Sequence, residues 1–233
     1  MTTRQTLCCR DADCRANRTL DADVPQSDIA SLYDGKAGVY DIWAWLTESR
    51  ARERAIALTE IIDGQTILEV AVGTGLAFQE IVRRNPHGDN SGVDLSPGML
   101  RRAKKRMQSM GDANYRLALG SAETLDQPTG SVDILFNNYM FDLIAFEQMD
   151  AITQEFHRVL KPGGKLVLVN MTHGEGFGSG VYERIYQFSP RMMGGCRGVA
   201  MADRLQHSGF EIISREYIQQ ALFPSEVILA QAL

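Results

Sequence analysis

Between residues 66 and 172, short apolar runs alternate with amphipathic stretches, and few folds accept that rhythm. "TILEVAV" (66–72), "NSGVDLS" (90–96), "YRLALGS" (115–121), "VDILFNNYM" (132–140) and "KLVLVNMT" (165–172) read as strands. Helical patterns at 75–85, 97–110 and 145–160 fall between them. The first ends before Pro86. The second has Pro97 in its first turn, where proline is tolerated, and the third is stopped by Lys161-Pro162-Gly163-Gly164. Strand–helix alternation implies a mostly parallel sheet with helices on both faces. A further helix is expected at 199–209, then strands at 210–218 and 225–233. The link between those two, around Phe223-Pro224, is far shorter than the dozen or so residues of a parallel crossover, so they should form an antiparallel hairpin. The expectation is a doubly wound α/β fold with seven strands, mostly parallel and closed by that hairpin.

Upstream of this pattern, residues 1–24 are polar and lack an apolar period, as a disordered tail would. From Ser27 to about residue 62, apolar residues recur at helical spacing, with Gly35 and Gly38 dividing the stretch into two or three pieces. Residues 25–233 then make one domain. Its N-terminal helices (27–62) and a glycine-rich insertion (173–199) are expected to cap the carboxyl edge of the sheet. Composition permits this: 44% of residues are hydrophobic and 23% charged. The net charge of −5 gives no pull toward nucleic acid or an anionic membrane. No apolar run reaches membrane-spanning length, and the first residues lack the apolar core of a signal peptide, so a soluble, cytoplasmic protein is expected. Cys8, Cys9 and Cys14 crowd the tail, but three thiols without a nearby histidine are not a complete zinc set, and no metal is expected.

The stretch "ILEVAVGTGLAF" turns from strand to helix over Gly73 and Gly75, at the end of the sheet where ligands bind in such folds. Bare backbone there lets a ligand approach closely, and the following helix presents unpaired N–H groups. A dinucleotide fingerprint would place a third small residue where Phe78 stands, and no G-K-[ST] follows for a phosphate loop. Asp94 lies 19 residues beyond Gly75, at the end of the second strand. An acidic side chain at that position accepts hydrogen bonds from ribose hydroxyls. It can also cap the helix that follows.

Taken in order, "ILEVAVGTGLAF", "GVDLSPGML", "ALGSAETL", "SVDILFNN" and "RVLKPGGKLVLVN" resemble the successive motifs of class I S-adenosylmethionine-dependent methyltransferases. The lead-in "YDGKAGVYDIW" is similar to the ubiquinone/menaquinone C-methyltransferase type and to phospholipid N-methyltransferases. The resemblance spans about residues 27–233. It implies a Rossmann-like sheet, S-adenosylmethionine as cofactor, and methyl transfer. By the same resemblance, Glu69, Gly73, Thr74 and Gly75 would line the methionine part. Asp94 would bind the ribose, Leu95 and Met99 would lie against adenine, and Ser121 and Ala122 would sit at its edge. Asn137 and Tyr139 would face the sulfonium and the acceptor, while Tyr33 and Tyr40 would close over the cofactor. The chain departs from the family pattern at Ala71, where a glycine is common, and at Ser121, where an aspartate is common.

Methyl transfer chiefly needs two reactants held in line and water excluded, which explains why no fixed catalytic dyad stands out. Tyr139, Phe141, Tyr33 and Tyr40 offer aromatic faces to a cation, with core packing the simpler role for Phe141. Where the acceptor must lose a proton, His173 is the best-placed base, with Glu175 and Asp142 as rivals. His157 and His207 read as structural or solvated, and "RRAKKRM" (101–107) as a solvated helix face. In the insertion, Tyr182, Tyr186, Phe188, Met192 and Met193 would make an apolar wall for a small aromatic or lipid-like acceptor. Arg191 or Arg197 would grip an anionic group there, or simply lie on the surface. Two other readings stay open: an NAD-type oxidoreductase, and a non-catalytic S-adenosylmethionine-binding protein.

Overall fold

The computed structural model describes residues 47–172, 197–220 and 223–233. Helix α1 covers residues 47–59. The order then runs β1 (Thr66–Val70), α2 (Leu76–Arg84), β2 (Asp89–Asp94), α3 (Pro97–Met107), β3 (Tyr115–Leu119), β4 (Val132–Asn138), α4 (Phe146–Val159) and β5 (Leu160–Met171), followed by α5 (Ala202–His207), β6 (Phe210–Gln220) and β7 (Phe223–Ala232). The seven strands form one sheet in the order β3-β2-β1-β4-β5-β7-β6. The five strands from β3 to β5 pair in parallel, and β7 pairs antiparallel with both β5 and β6. The expected fold class is therefore present, with its topological switch between β1 and β4.

Both faces of the sheet are covered, which explains the near-continuous apolar strands. Alternate residues serve different cores. Leu68, Val70, Leu135, Leu166 and Leu168 pack with Phe141 and Phe156 on one face, which α4 and α5 cover. Ile67, Ile134, Phe136, Val167 and Val169 pack with Ala51, Ala55 and Ile56 of α1 and with Ile81 of α2 on the other. Among the described residues no helix is long and apolar enough to cross a membrane, and no cluster of three or more His, Cys, Asp or Glu could hold a metal ion.

The element boundaries differ from expectation in five places. β1 stops at Val70 because Ala71 turns to a φ of 61°. β2 ends at Asp94 and not at residue 96, since Ser96 is the N-cap of α3, its side chain accepting from Met99 N at 3.1 Å. Lys161-Pro162-Gly163-Gly164 ends α4 but belongs to β5, whose Leu160 pairs with Val132 before the register shifts. Phe223 and Pro224 are paired residues of β7 facing Gln220 and Gln219, not the link of the hairpin. The expected helix at 199–209 is confined to Ala202–His207, because Val199 N donates to Met171 O (2.9 Å) and continues the edge of β5. The tail, most of the expected helices at 27–62 and most of the insertion lie outside the described residues.

Candidate active site

The chain leaves β1 through a sharply strained corner. Ala71, Gly73 and Gly75 have φ of 61°, 58° and 82°, all in the left-handed region that non-glycine residues avoid. Gly75 is required twice over. Besides its φ, a Cβ there would lie 3.1 Å from both Cα and Cβ of Ala103, so any side chain would push α3 away. The corner is tied from two sides. Arg106 Nε donates to Thr74 O at 2.9 Å, and Gly73 N donates to Asp94 Oδ2 at 2.7 Å. Asp94 Oδ1 accepts from Ser96 N at 2.8 Å. One buried carboxylate thus joins the glycine corner to Ser96, the residue that caps α3. Burial raises its pKa, opposed by the N–H groups of Ser96, Gly73 and Leu95. Each oxygen keeps lone pairs for a further donor.

Two clefts adjoin at the carboxyl ends of β1, β2 and β4. The larger, about 890 Å³ with its open mouth, has Asp94, Leu95, Met99, Ser121 and Ala122 on one side and Met140, Leu143 and Ile144 on the other. The smaller, about 430 Å³, is lined by Glu48, Arg52, Glu69, Thr74, Leu76 and Ala77. Ala71, Gly73, Asn138 and Tyr139 line both and form the junction. The larger cleft is mostly apolar with one carboxylate; the smaller is charged. Glu69 is buried, with Oε1 accepting from Asn138 Nδ2 at 3.2 Å and Oε2 without a hydrogen-bond partner among the described residues. Burial pushes its pKa up to about 8. Half-buried Glu48 is pushed up to about 7 by burial, against the pull of Arg52.

Tyr139 is held firmly. Its φ is 52°, its N donates to Val169 O at 2.7 Å, and its hydroxyl lies 2.8 Å from Ser225 Oγ. Burial and the nearby Glu48 hold its phenol above the ordinary tyrosine range.

The residues named from the sequence fall as follows. Ala71, Gly73, Asp94, Leu95, Met99, Ser121, Ala122 and Tyr139 line the larger cleft, and Glu69 and Thr74 the smaller. Gly75 lines neither but shapes the corner as the N-cap of α2. Asn137 is a correction. It is fully buried, and its Nδ2 donates to Val70 O at 2.9 Å, locking β4 to β1. Strand alternation explains this: Phe136 is in register with Glu69, so Asn138, two residues on, shares the face of Glu69 and reaches the clefts. Asp142 is a second correction. It is fully buried, with both oxygens on Met171 N, and does not line either cleft. Arg197 is a third, because it is neither exposed nor in a cleft. Phe141 is core, in edge contact with Phe156. Tyr33, Tyr40, His173, Glu175 and the apolar wall of the insertion lie outside the described residues. Sequence reasoning missed Glu48, Arg52 and Asn138. Glu48 and Arg52 stand four apart on α1, one turn of a helix face, and that spacing was the available signal.

Residues 67–164 match the sequence model of the family described as "Methyltransferase domain". Residues 67–164 thus correspond to a methyltransferase domain. Beyond that domain, the chain is 27% identical over 164 residues to the demethylmenaquinone methyltransferase of Tropheryma whipplei (strain Twist), covering 69% of this chain and 65% of that protein's length. Among solved structures it is similar to a SAM-dependent methyltransferase from Methanosarcina mazei, at 19% identity and a TM-score of 0.66 over 76% of this chain and 97% of that one. It is also similar to the [4+2]-cyclase SpnF, at 17% identity and a TM-score of 0.73 over 91% and 99%. At these identities the likeness is one of fold, which does not by itself fix the chemistry. In this methyltransferase domain Phe78 is fully buried where a dinucleotide fold needs a small residue. The space comes from Gly92 on β2 instead, where a Cβ would stand 3.2 Å from Phe78 Cε2 and 2.7 Å from side-chain atoms of Leu117 and Val72.

Proposed function

We propose that this protein binds S-adenosylmethionine across the two clefts and transfers its methyl group to a small aromatic or lipid-like acceptor. The observation that carries the proposal is the polarity of the paired clefts about Tyr139. An apolar cleft with a carboxylate suits a nucleoside, and a charged cleft suits an amino acid. Glu69 Oε2, buried and without a hydrogen-bond partner among the described residues, fits an ammonium group. Arg52, beside it, fits a carboxylate. Asp94 would accept from the ribose hydroxyls, with Leu95 and Met99 against the base. A dinucleotide would instead bring phosphates toward Glu48 and Glu69, whose ionised forms repel them.

When bound, S-adenosylmethionine supplies an electrophilic methyl group on a cationic sulfonium. The chain's own part is positional. Tyr139, held through its backbone N and its hydroxyl, keeps its ring at the junction of the clefts. His173 would take a proton from an acidic acceptor, and the helices at 27–62 with the insertion at 173–199 would cap the site. The quinone-directed name of the Tropheryma relative supports an apolar acceptor.

Calorimetric titration with S-adenosylmethionine, S-adenosylhomocysteine and NAD tests the first half. The first two should bind and NAD should not; tight NAD binding overturns the proposal. Release of S-adenosylhomocysteine over a panel of quinones and phenolic lipids tests the second half.

A further inference from the structure

Arg197 is 2% exposed, an unusual place for a guanidinium. Its Nη2 donates to Ile144 O at 2.6 Å, and its Nη1 and backbone N both reach Asp142 O at 3.4 Å. Its guanidinium carbon stands 4.6 Å from the centroid of the Phe146 ring. Asp142 is fully buried beside it, with both carboxylate oxygens accepting from Met171 N at 3.2 Å. β4 has ended at Asn138, so the Asp142 side chain takes the place of a strand partner for the end of β5. Burial raises the Asp142 pKa, opposed by Met171 N–H and by Arg197.

Between these two groups lie Leu143 and Ile144, a wall of the larger cleft. Their segment is one short turn, Phe141–Leu143, closed by Leu143 N to Met140 O (2.9 Å) and Ile144 N to Phe141 O (3.2 Å). A single turn of this kind is not self-supporting in water. The external ties to Arg197 and Met171 supply what it lacks.

We infer that Arg197 and Asp142 are positioning residues for the cofactor cleft: together they fasten the Leu143–Ile144 wall to the end of β5 and so set the cleft's affinity for an adenine nucleoside. The ligand class rests on the proposed function; the fastening rests on the contacts alone.

The test uses the full chain with Arg197→Met, Arg197→Lys and Phe146→Leu, and two readouts. Hydrogen exchange by mass spectrometry follows the peptide containing residues 140–144, and calorimetry follows S-adenosylhomocysteine. Arg197→Met should speed exchange in that peptide while β1 and β2 keep wild-type rates, and should weaken binding about tenfold, as loss of a hydrogen-bonded charge does. Arg197→Lys should recover part of both, since an ammonium keeps the charge but not the fork that reaches two carbonyls. Phe146→Leu removes the ring under the guanidinium and should weaken binding about two- to fourfold; it decides the matter if Arg197→Met does not fold. Unchanged exchange and affinity in the folded variants overturn the inference, as does exchange that rises equally across the sheet. A wild type that binds no S-adenosylhomocysteine overturns the proposed function instead, and leaves the exchange comparison to judge the fastening.

Discussion

The two sides of the site are built by different means. On the β1–β2 side, the ligand-facing surface is backbone, bent by glycines and tied by one carboxylate. On the β4–β5–β7 side, it is made of side chains held by other buried side chains: Tyr139 by Ser225, and the Leu143–Ile144 wall by Arg197 and Asp142. The first is rigid because few conformations are open to it. The second is rigid because several distant contacts agree. A backbone-built surface should therefore fail abruptly when one residue changes, whereas a contact-built one should fail in steps.

The largest effect should come from Gly75→Ala. The left-handed φ of 82° costs a non-glycine residue about 1–3 kcal/mol. Overpacking against Ala103 at 3.1 Å adds about 1–3 kcal/mol. Urea denaturation should show most of that sum, and cofactor binding should be lost with it. A variant of wild-type stability would show that the corner is not rigid in the way described.

Asp94→Ala comes next. Its carboxylate would lose the ribose contacts, at about 1.5–3 kcal/mol per hydrogen bond to a charged group. S-adenosylhomocysteine should bind about one to two decades more weakly, at about 1.4 kcal/mol per decade. The ties to Gly73 and Ser96 are lost as well, so folding must be measured separately. Asp94→Asn should fall between, because one oxygen acceptor remains. Unchanged affinity in folded Asp94→Ala removes the nucleoside from this cleft.

Glu69 gives a pH test of the boundary between the two sides. Its carboxyl is pushed up to about 8 by burial, and Glu48 to about 7. A raised folded-state pKa means that the folded protein holds protons the unfolded chain releases. Stability linked to Glu69 is thus fully present below the unfolded value of 4.5 and declines as pH rises toward 8. Binding has the opposite sign, since an ammonium favours the ionised form. Affinity for S-adenosylhomocysteine should rise about three- to tenfold between about pH 6 and about pH 8. Glu69→Gln should flatten most of that rise and leave the smaller part due to Glu48. A profile equally steep in Glu69→Gln assigns the linkage elsewhere.

The same contrast explains what could be read from the sequence. The Gly73–Asp94 tie spans 21 residues, within one strand–helix–strand unit whose spacing carries a meaning. The seven strands followed from alternation and turn residues alone. Tyr139 and Ser225 are 86 residues apart, and Arg197 and Asp142 are 55 apart. Nothing local marks such partners, because they meet only once the sheet order is known. Asn137 and Asn138 were exchanged for a related reason. The choice depends on which residue of β4 shares the face of Glu69, a question of register that neighbouring asparagines do not answer. "RRAKKRM" was read as solvated, which suits Arg101, Arg102, Lys104 and Lys105 but not Arg106, whose Nε reaches Thr74 O.

The smallest predicted effect is Ser225→Ala, and it probes the contact-built side most gently. The substitution removes one hydroxyl, buried in β7, that holds the Tyr139 hydroxyl at 2.8 Å. A neutral hydrogen bond of this kind contributes about 0.5–1.5 kcal/mol. Tyr139 keeps its left-handed backbone and the bond from its N to Val169 O, so the ring stays at the junction of the clefts but with a wider range of orientations. Cofactor affinity, which in the proposed function rests on Asp94 and Glu69, should change less than twofold. Turnover, which in the proposed function needs the ring beside the reacting groups, should fall about two- to tenfold. Ser225→Thr, which keeps the hydroxyl, should restore part of the rate if the added methyl fits. Steady-state kinetics separates these outcomes: a fall in kcat with KM for S-adenosylmethionine unchanged supports a role in placing Tyr139. An equal fall in affinity would mean that Ser225 supports the clefts as a whole, and that the two sides of the site are less independent than their construction implies.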